Sequence, residues 1–244
     1  MPENKIISVF KKAPLPASLT VLSFALFLAA YWIVTQMFIQ PYYWAGLLFS
    51  LPFFCFAGLT LLTVRRELKA MSALLSVLLL IAFGISMGGT LLFISIDAAT
   101  NEITDIAAYE RVLKRSHYRN QLLERCFPSK IPENAANVKF LHRPAMGQGG
   151  KDTALQFETD ASSLKSYEEI FSKKAVWSGR DSDAAAAEHG VYASALHPFD
   201  RPDTDAAKRY DVYVMFSKPY LPGNWNHGEY SLVAVSEQEN KLLF

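Results

Sequence analysis

Charged side chains are missing from two long stretches of this sequence. No Asp, Glu, Lys or Arg occurs from Ser18 to Val64, and none occurs from Ala70 to Ile96. A helix of about 20 apolar residues crosses the hydrocarbon core of a bilayer. We therefore expect three membrane spans, at residues 18–39, 44–64 and 71–96. Because pumps and ion-coupled transporters keep ionisable residues in their spans, a transport pathway formed by this chain alone is not expected.

Cysteine is nearly absent as well. Cys55 falls in the second predicted span, and Cys126 is the other cysteine of the chain. A disulfide within the C-terminal region is therefore excluded, and the stability of that region must come from a packed core. We expect Cys126 to be a small, buried apolar side chain rather than a reactive thiol.

Two common catalytic motifs are missing. The sequence contains no HExxH and no CxxC, so it carries no signature of a zinc protease or a dithiol redox site. The pattern GxSxG occurs once, as GISMG at residues 84–88, but it lies inside the third predicted span rather than at the strand-to-helix turn that a serine hydrolase needs. Residues 97–244 hold 18 of the 24 basic and 21 of the 23 acidic residues, which gives this region three net negative charges. A basic surface for nucleic acid is therefore not expected, and no cofactor is predicted.

A glycine-rich stretch, AMGQGGKDT at residues 145–153, has some features of a phosphate-binding loop. That loop needs a glycine five positions before the Gly-Lys pair and a Ser or Thr after the lysine. Here Ala145 and Asp152 stand at those two positions. We instead expect a hairpin connection with glycines at positive φ, and no nucleotide partner.

Basic residues near the ends of the spans predict the orientation of the chain. They form two clusters, one before the first span and one between the second and third: Lys5, Lys11, Lys12, Arg65, Arg66 and Lys69. Both clusters lie on one side of the membrane in a three-span chain. The sequence thus predicts a multi-pass cell-membrane protein with residues 1–17 in the cytoplasm and the C-terminal region outside it. A cleaved signal peptide is the alternative for the first span, but its apolar run is too long.

The third predicted span carries three glycines, Gly84, Gly88 and Gly89. Gly84 and Gly88 are four residues apart, so they share one face of a helix on which another backbone can approach closely. Two interpretations of this face remain open: helix packing against the chain's own first two spans, or packing against another membrane protein. In the second span, Pro52 predicts a kink.

The C-terminal region predicts an α+β fold. Residues 97–126 are expected to form a linking helix, with Thr100 or Asn101 as its cap, and residues 127–244 an extracytoplasmic domain with a mainly antiparallel sheet and two or more helices. Asp160 is the expected cap of an amphipathic helix. Alternation of apolar residues predicts strands at VKFLHR, TALQFET, VYASAL, YDVYVMFSKP, EYSLVAVS and KLLF.

The loop LPGNWNHGEY, residues 221–230, is a candidate ligand or partner site. It brings together an aromatic ring with hydrogen-bond donors and acceptors, from Asn224, Trp225, Asn226 and His227. The alternative is structural, because a loop tryptophan can cover its own sheet and asparagine and glycine are ordinary turn residues.

A second polar loop is a candidate metal site. Carboxylates at alternating positions can bind calcium, and this loop contains Asp181, Asp183, Glu188 and His189. It lacks the glycine and the further ligands of an EF-hand loop. The alternative is a solvated acidic connection with no ligand.

From Phe127 to the C-terminus the chain resembles a group of bacterial lipoproteins and membrane-anchored domains. The stretches that carry the resemblance are RCFPSKIPENAANVKFLHRPAMGQGG, LQFET, NWNHG and VAVSEQENKLLF. Members of the group have a Phe-Pro, a later Ile-Pro, a strand, a glycine-containing turn and a closing hairpin in the same order. This chain differs in its three-span anchor and in stopping at Phe244, where relatives extend the last strand. The resemblance implies a bacterial cell-surface location and implies no activity.

Two functional hypotheses follow from these patterns. The first is a non-catalytic interaction or sensing module, such as an accessory subunit of a membrane assembly, with membrane lipid and another membrane protein as partners. The second is a surface hydrolase, or a protein that binds a small ligand or metal, using the acidic loops and residues 224–227.

Overall fold

The computed structural model describes residues 5–66, 69–115, 126–145, 150–180, 196, 198–199, 210–218 and 228–244. The chain divides into two compact units, residues 1–99 and 100–244. The first unit consists of helices, and the second is built on a β-sheet.

The helices of the first unit follow the apolar blocks of the sequence. They are α1 (Lys5–Lys12), α2 (Pro14–Gln36), α3 (Tyr43–Leu48), α4 (Leu51–Arg66) and α5 (Lys69–Thr100). Three stretches are long and apolar enough to cross a membrane: Pro14–Gln36, Tyr43–Arg65 and Met71–Thr100. The prediction of three long apolar helices is therefore confirmed.

The second span is interrupted where the proline predicts a kink. Between α3 and α4, the amide of Phe49 donates to Gly46 O at 3.2 Å, and that of Ser50 donates to Leu47 O at 3.0 Å. These bonds connect residues three apart and so tighten the turn. Pro52 follows as the second residue of α4, where it lacks an N–H and its ring would clash with the carbonyl four residues earlier. The continuous α-helix therefore stops before it.

In the described part of the chain, the second unit contains an antiparallel sheet of six strands. The strands are β1 (Ala136–Arg143), β2 (Asp152–Glu158), β3 (Trp177–Arg180), β4 (Asp211–Lys218), β5 (Glu229–Ser236) and β6 (Lys241–Leu243), in the spatial order β1-β2-β6-β5-β4-β3. Two α-helices accompany them within the described ranges, α6 (Tyr109–Arg115) and α7 (Ala161–Ser172). The α+β prediction with a mainly antiparallel sheet is thus confirmed.

One face of the sheet packs against α7. Residues on β2 alternate between the two faces, and Phe157 points to the helix, with its ring 6.3 Å from that of Tyr167. The C-terminal Phe244 lies between them and stacks on Phe157 at 5.7 Å. Phe171 completes this group at 5.9 Å from Phe244. Phe244 is therefore part of the core.

The opposite face of the sheet is covered as well. Leu141 and Ala154 face each other across β1 and β2, and they belong to a buried cluster with residues of β4, β5 and β6 and with Leu196 and Tyr210. Its members are Leu141, Ala154, Leu196, Tyr210, Val212, Val214, Ala234 and Leu243. The sheet is a middle layer with apolar side chains buried on both sides.

The N-terminal part of the second unit differs from the predicted linking helix. Residues 101–105 are not helical, and Ile103 forms an isolated antiparallel bridge with His142 of β1. Helical structure starts only at Ile106, where the Asp105 side chain accepts a hydrogen bond from the amide of Ala107. The backbone of Ile103 therefore bonds to the sheet, and Thr100 and Asn101 do not cap a new helix.

The other local predictions have mixed outcomes. Asp160 caps α7 as predicted, since its carboxylate accepts a hydrogen bond from the amide of Ser163 at 2.9 Å. β1 and β2 form the predicted hairpin, although Gly150 does not adopt a positive φ. The short strand β3 was not predicted, because a four-residue segment containing Gly179 has too few alternating positions. Most of VYASAL lies outside the described residues.

Candidate functional site

Most residues singled out from the sequence lie outside the described part of the chain. This applies to the loop residues Asn224, Trp225, Asn226 and His227. It also applies to the acidic group Asp181, Asp183, Glu188 and His189. The two candidate sites therefore stay predictions. Among the described residues, no group of three His, Cys, Asp or Glu is arranged to hold a metal ion.

The three glycines of α5 are described, and all three are exposed. A Cβ atom built on Gly84, Gly88 or Gly89 would meet no heavy atom of the described residues within 4 Å. Close packing of this glycine face against the chain's own first two spans is therefore not found. The face is open to whatever surrounds the helix.

A different glycine brings two spans together. A Cβ on Gly46 of α3 would lie 2.9 Å from Cδ2 of Tyr31 and 3.1 Å from Cγ2 of Val34, both on α2. Such distances are too short for a side chain, so the contact depends on glycine. A second contact joins α2 with α4, where the hydroxyl oxygens of Thr20 and Thr60 are 3.1 Å apart.

The third span joins the other two at separate points along its length. Ile94 is fully buried in a cluster with Val34 and Phe49. At the same end, Tyr42 Oη donates a hydrogen bond to Asp97 Oδ2 at 2.7 Å. Toward the other end of α5, Ser76 is fully buried. Between Ser76 and Ile94 the span is mostly exposed.

An apolar cavity of about 310 Å³ lies between α2, α4 and α5. Phe27 and Ala30 of α2 and Phe56 of α4 line two of its walls, and Gly84 and Met87 line the third. Since all three walls are membrane spans, the cavity faces hydrocarbon rather than water.

In the second unit, His142 is buried at the attachment of residues 101–105. Its Nδ1 lies 2.9 Å from Thr153 Oγ1, while its backbone exchanges hydrogen bonds of 2.8 and 2.9 Å with Ile103. Nε2 has no partner among the described residues. Burial lowers the pKa of His142 to about 4, and the positive charge of Lys151 adds to this effect. The imidazole is therefore neutral at pH 7 and enclosed, which suits a structural role better than proton transfer.

Cys126 is buried, as expected from the sequence. Its Sγ lies 2.9 Å from Ser231 Oγ, and burial raises the pKa of the thiol to about 11. Because the thiolate is the reactive form, a nucleophilic role at neutral pH is disfavoured.

Three carboxylates approach one another on the α7 side of the sheet. Burial raises the pKa of Glu168, and the charges of Glu237 and Asp211 raise it further. Asp211 also forms an ion pair with Arg180, with Nε and Oδ1 3.4 Å apart. This ion pair offsets part of the negative charge.

Sequence reasoning missed the residues that join helices within the anchor and the residues that attach residues 101–105 to the hairpin of the second unit. The Tyr42–Asp97 hydrogen bond joins residues 55 positions apart, and Gly46 shares neither the spacing nor the repetition of the glycines in α5. In the sequence, His142 has the pattern of an ordinary polar residue in an alternating strand. Local patterns do not report contacts that form only when distant segments meet.

Comparison with models of protein families, with curated proteins and with solved structures finds no match to this chain.

Proposed function

We propose that this chain is a non-catalytic interaction module of a bacterial cell membrane, and that it acts as an accessory subunit of a larger membrane assembly. The observation that carries the proposal is the open third span. Only 6% of the most apolar window of Met71–Thr100 is buried within the chain, against 17% for each of the other two spans. The third span is thus the surface most available to a partner.

The exposed glycine face supplies a mechanism for that contact. Apolar burial does not drive spans together in a bilayer, because lipid tails are as apolar as leucine side chains. Association depends instead on close van der Waals packing, which small residues permit. Gly84 and Gly88 leave that face without side chains, and no described residue of the chain fills the space.

The location of the second unit is part of the proposal. The basic clusters around Lys11 and Arg65 support a cytoplasmic N-terminus, and with an odd number of spans residues 100–244 would then lie outside the cytoplasm. The resemblance from Phe127 onward to bacterial cell-surface domains supports the same side. A folded domain held at the outer face of the membrane is suited to contact the outer part of a partner.

The partner is tested by extraction of the tagged protein from its native host in a mild detergent. Size-exclusion chromatography followed by mass spectrometry should show one membrane protein at a fixed ratio to the chain. Gly88→Leu should release it, because the new side chain blocks the glycine face. Ala82→Leu is the matched control, since residue 82 is exposed and lies on another side of α5 from Gly84. A lone monomer, a homodimer, or release by both variants contradicts the proposal.

The orientation is tested separately with introduced cysteines. Gly150→Cys, at an exposed position with no neighbour within 4 Å among the described residues, should react with an impermeant maleimide in intact cells. Lys11→Cys should react only after lysis. The parent chain, which has Cys55 and Cys126, measures the background. The reverse pattern would place residues 100–244 in the cytoplasm and overturn the proposed location.

A further inference from the structure

The cavity between the three spans is chemically uniform. Among its lining residues, Ser23 alone carries a polar side chain. The Ser23 hydroxyl is already used, because it donates to the backbone oxygen of Thr20 at 3.0 Å. The wall therefore offers no charged group and no free hydrogen-bond donor to an ion, a headgroup or a polar metabolite. Cavities of this kind also exclude water.

The shape of the anchor explains why the cavity exists. Ser76 and Ile94 are fully buried residues of α5, and they are 18 positions apart, which is about 27 Å along a helix. Gly84 lies between them and lines the cavity, yet it is exposed. The cavity is therefore open sideways at Gly84, toward the medium around the spans.

That medium determines the occupant. All three walls belong to stretches that can cross a membrane, so the opening faces lipid tails. An empty space would cost its lining residues their dispersion contacts, and a lipid tail restores them without burying a polar group. The volume of about 310 Å³ is at the lower end of the range for small-ligand pockets, about 300–1,000 Å³. We propose that the cavity binds one acyl chain of a membrane phospholipid, which enters beside Gly84.

The site makes a structural contribution that the protein otherwise lacks. A bound acyl chain would fill the space between α5 and the α2–α4 pair, over the stretch where the protein itself makes few contacts. The cavity shares Gly84 with the glycine face proposed above for the partner contact, whereas Gly88 and Gly89 do not line the cavity. Gly88→Leu, which tests the partner contact, therefore leaves the lining of the cavity unchanged.

The test uses the full chain in phosphatidylcholine vesicles that include phosphatidylcholine with a photoreactive diazirine on one acyl chain. After illumination, mass spectrometry maps the labelled residues. We expect adducts on the lining residues Phe27 and Met87, in addition to those on lipid-facing residues such as Ile85. Gly84→Leu should fill the opening and remove the adducts on Phe27 and Met87, while those on Ile85 persist. Ala82→Leu should leave the whole pattern unchanged.

A second pair of variants keeps the test decisive if Gly84→Leu does not accumulate. Ala30→Leu fills the cavity from α2, and the neighbouring exposed Ala29→Leu does not. Labelling of Ile85 without any labelling of Phe27 and Met87 overturns the proposal. So does labelling that survives both filling variants, or labelling by a diazirine-bearing free fatty acid but not by the phospholipid. Cross-linking of Met87 to a second copy of the chain would assign the cavity to a protein contact instead.

Discussion

The sheet of the second unit is covered on both faces by the chain's own residues, whereas the third span of the first unit is covered by very few. Phe157 at the centre of one sheet face and Val212 on the other are both fully buried. On α5, Ile85 is 74% exposed and Phe93 is 69% exposed. The sheet domain thus buries its own apolar surface, whereas the anchor leaves apolar surface exposed to its surroundings.

The difference shows where changes should affect folding and where they should affect association. In the sheet domain, a cavity or a buried charge destabilises the chain itself. In the anchor, the same apolar residues face lipid, and the contacts that matter are the few close ones, such as Gly46 against Tyr31. The comparison can therefore be tested with substitutions in the core of the sheet domain and with substitutions at the close contacts between spans.

The largest effect is expected from Phe157→Ala. The side chain is fully buried and contacts both Tyr167 and Phe244, so its removal leaves a cavity between α7 and the sheet. We expect a loss of about 3–5 kcal/mol in the free energy of unfolding of the second unit. Pulse proteolysis of the full chain in urea and mild detergent measures it. Ile170→Ala, at an exposed position of α7, should change it far less; equal losses would show that the core is not where the structure places it.

A pH effect of similar size is expected from His142. Its pKa is about 4 in the folded chain and about 6.5 in an unfolded one, so the unfolded state binds the proton more readily. The stability that neutral His142 contributes is complete above pH 6.5 and is lost as the pH falls toward 4. Since each pH unit corresponds to about 1.36 kcal/mol, this group accounts for about 3 kcal/mol over that interval.

The variant His142→Gln isolates this contribution. Glutamine does not titrate, so the variant should lose less stability between pH 6.5 and pH 4 than the parent chain does. The same proteolysis assay, run at each pH, measures the difference between the two curves. Parallel curves would mean that His142 is not buried as a neutral group.

How far the sequence could predict these features depends on the range of the contacts involved. The three spans follow from the length of the charge-free apolar stretches, and the strands around Phe157 and Val212 follow from local alternation, because a buried sheet face selects apolar residues at every second position. β3 is too short for such a signal. Gly46 and His142 owe their roles to residues that lie elsewhere in the chain, at Tyr31 and Ile103, and no local pattern records them.

A smaller effect is expected from a glycine of the second span. Gly46→Leu places a side chain where a Cβ would already be 2.9 Å from Tyr31, so α3 and α2 must separate. Overpacking of this kind costs about 1–3 kcal/mol. Gly58→Leu is the matched control, because a Cβ on Gly58 meets no described atom within 4 Å. The protein in mild detergent is titrated with SDS, and its helical content is followed by circular dichroism. Gly46→Leu should lose helical structure at a lower SDS concentration than the parent chain, and Gly58→Leu should not.

The smallest effect is expected from the hydroxyl pair that joins α2 to α4. The oxygens of Thr20 and Thr60 are 3.1 Å apart, but Thr20 also donates to the backbone oxygen of Pro16 at 2.8 Å, so it keeps a partner when Thr60 is replaced. Hydrogen bonds between spans contribute about 0.6 kcal/mol on average. A double-mutant cycle of Thr20→Val and Thr60→Val in the SDS titration should therefore give a coupling energy of about that size. A coupling larger than the cost of Gly46→Leu would reverse the interpretation of the anchor, because polar bonds rather than close backbone packing would then hold its first two spans together.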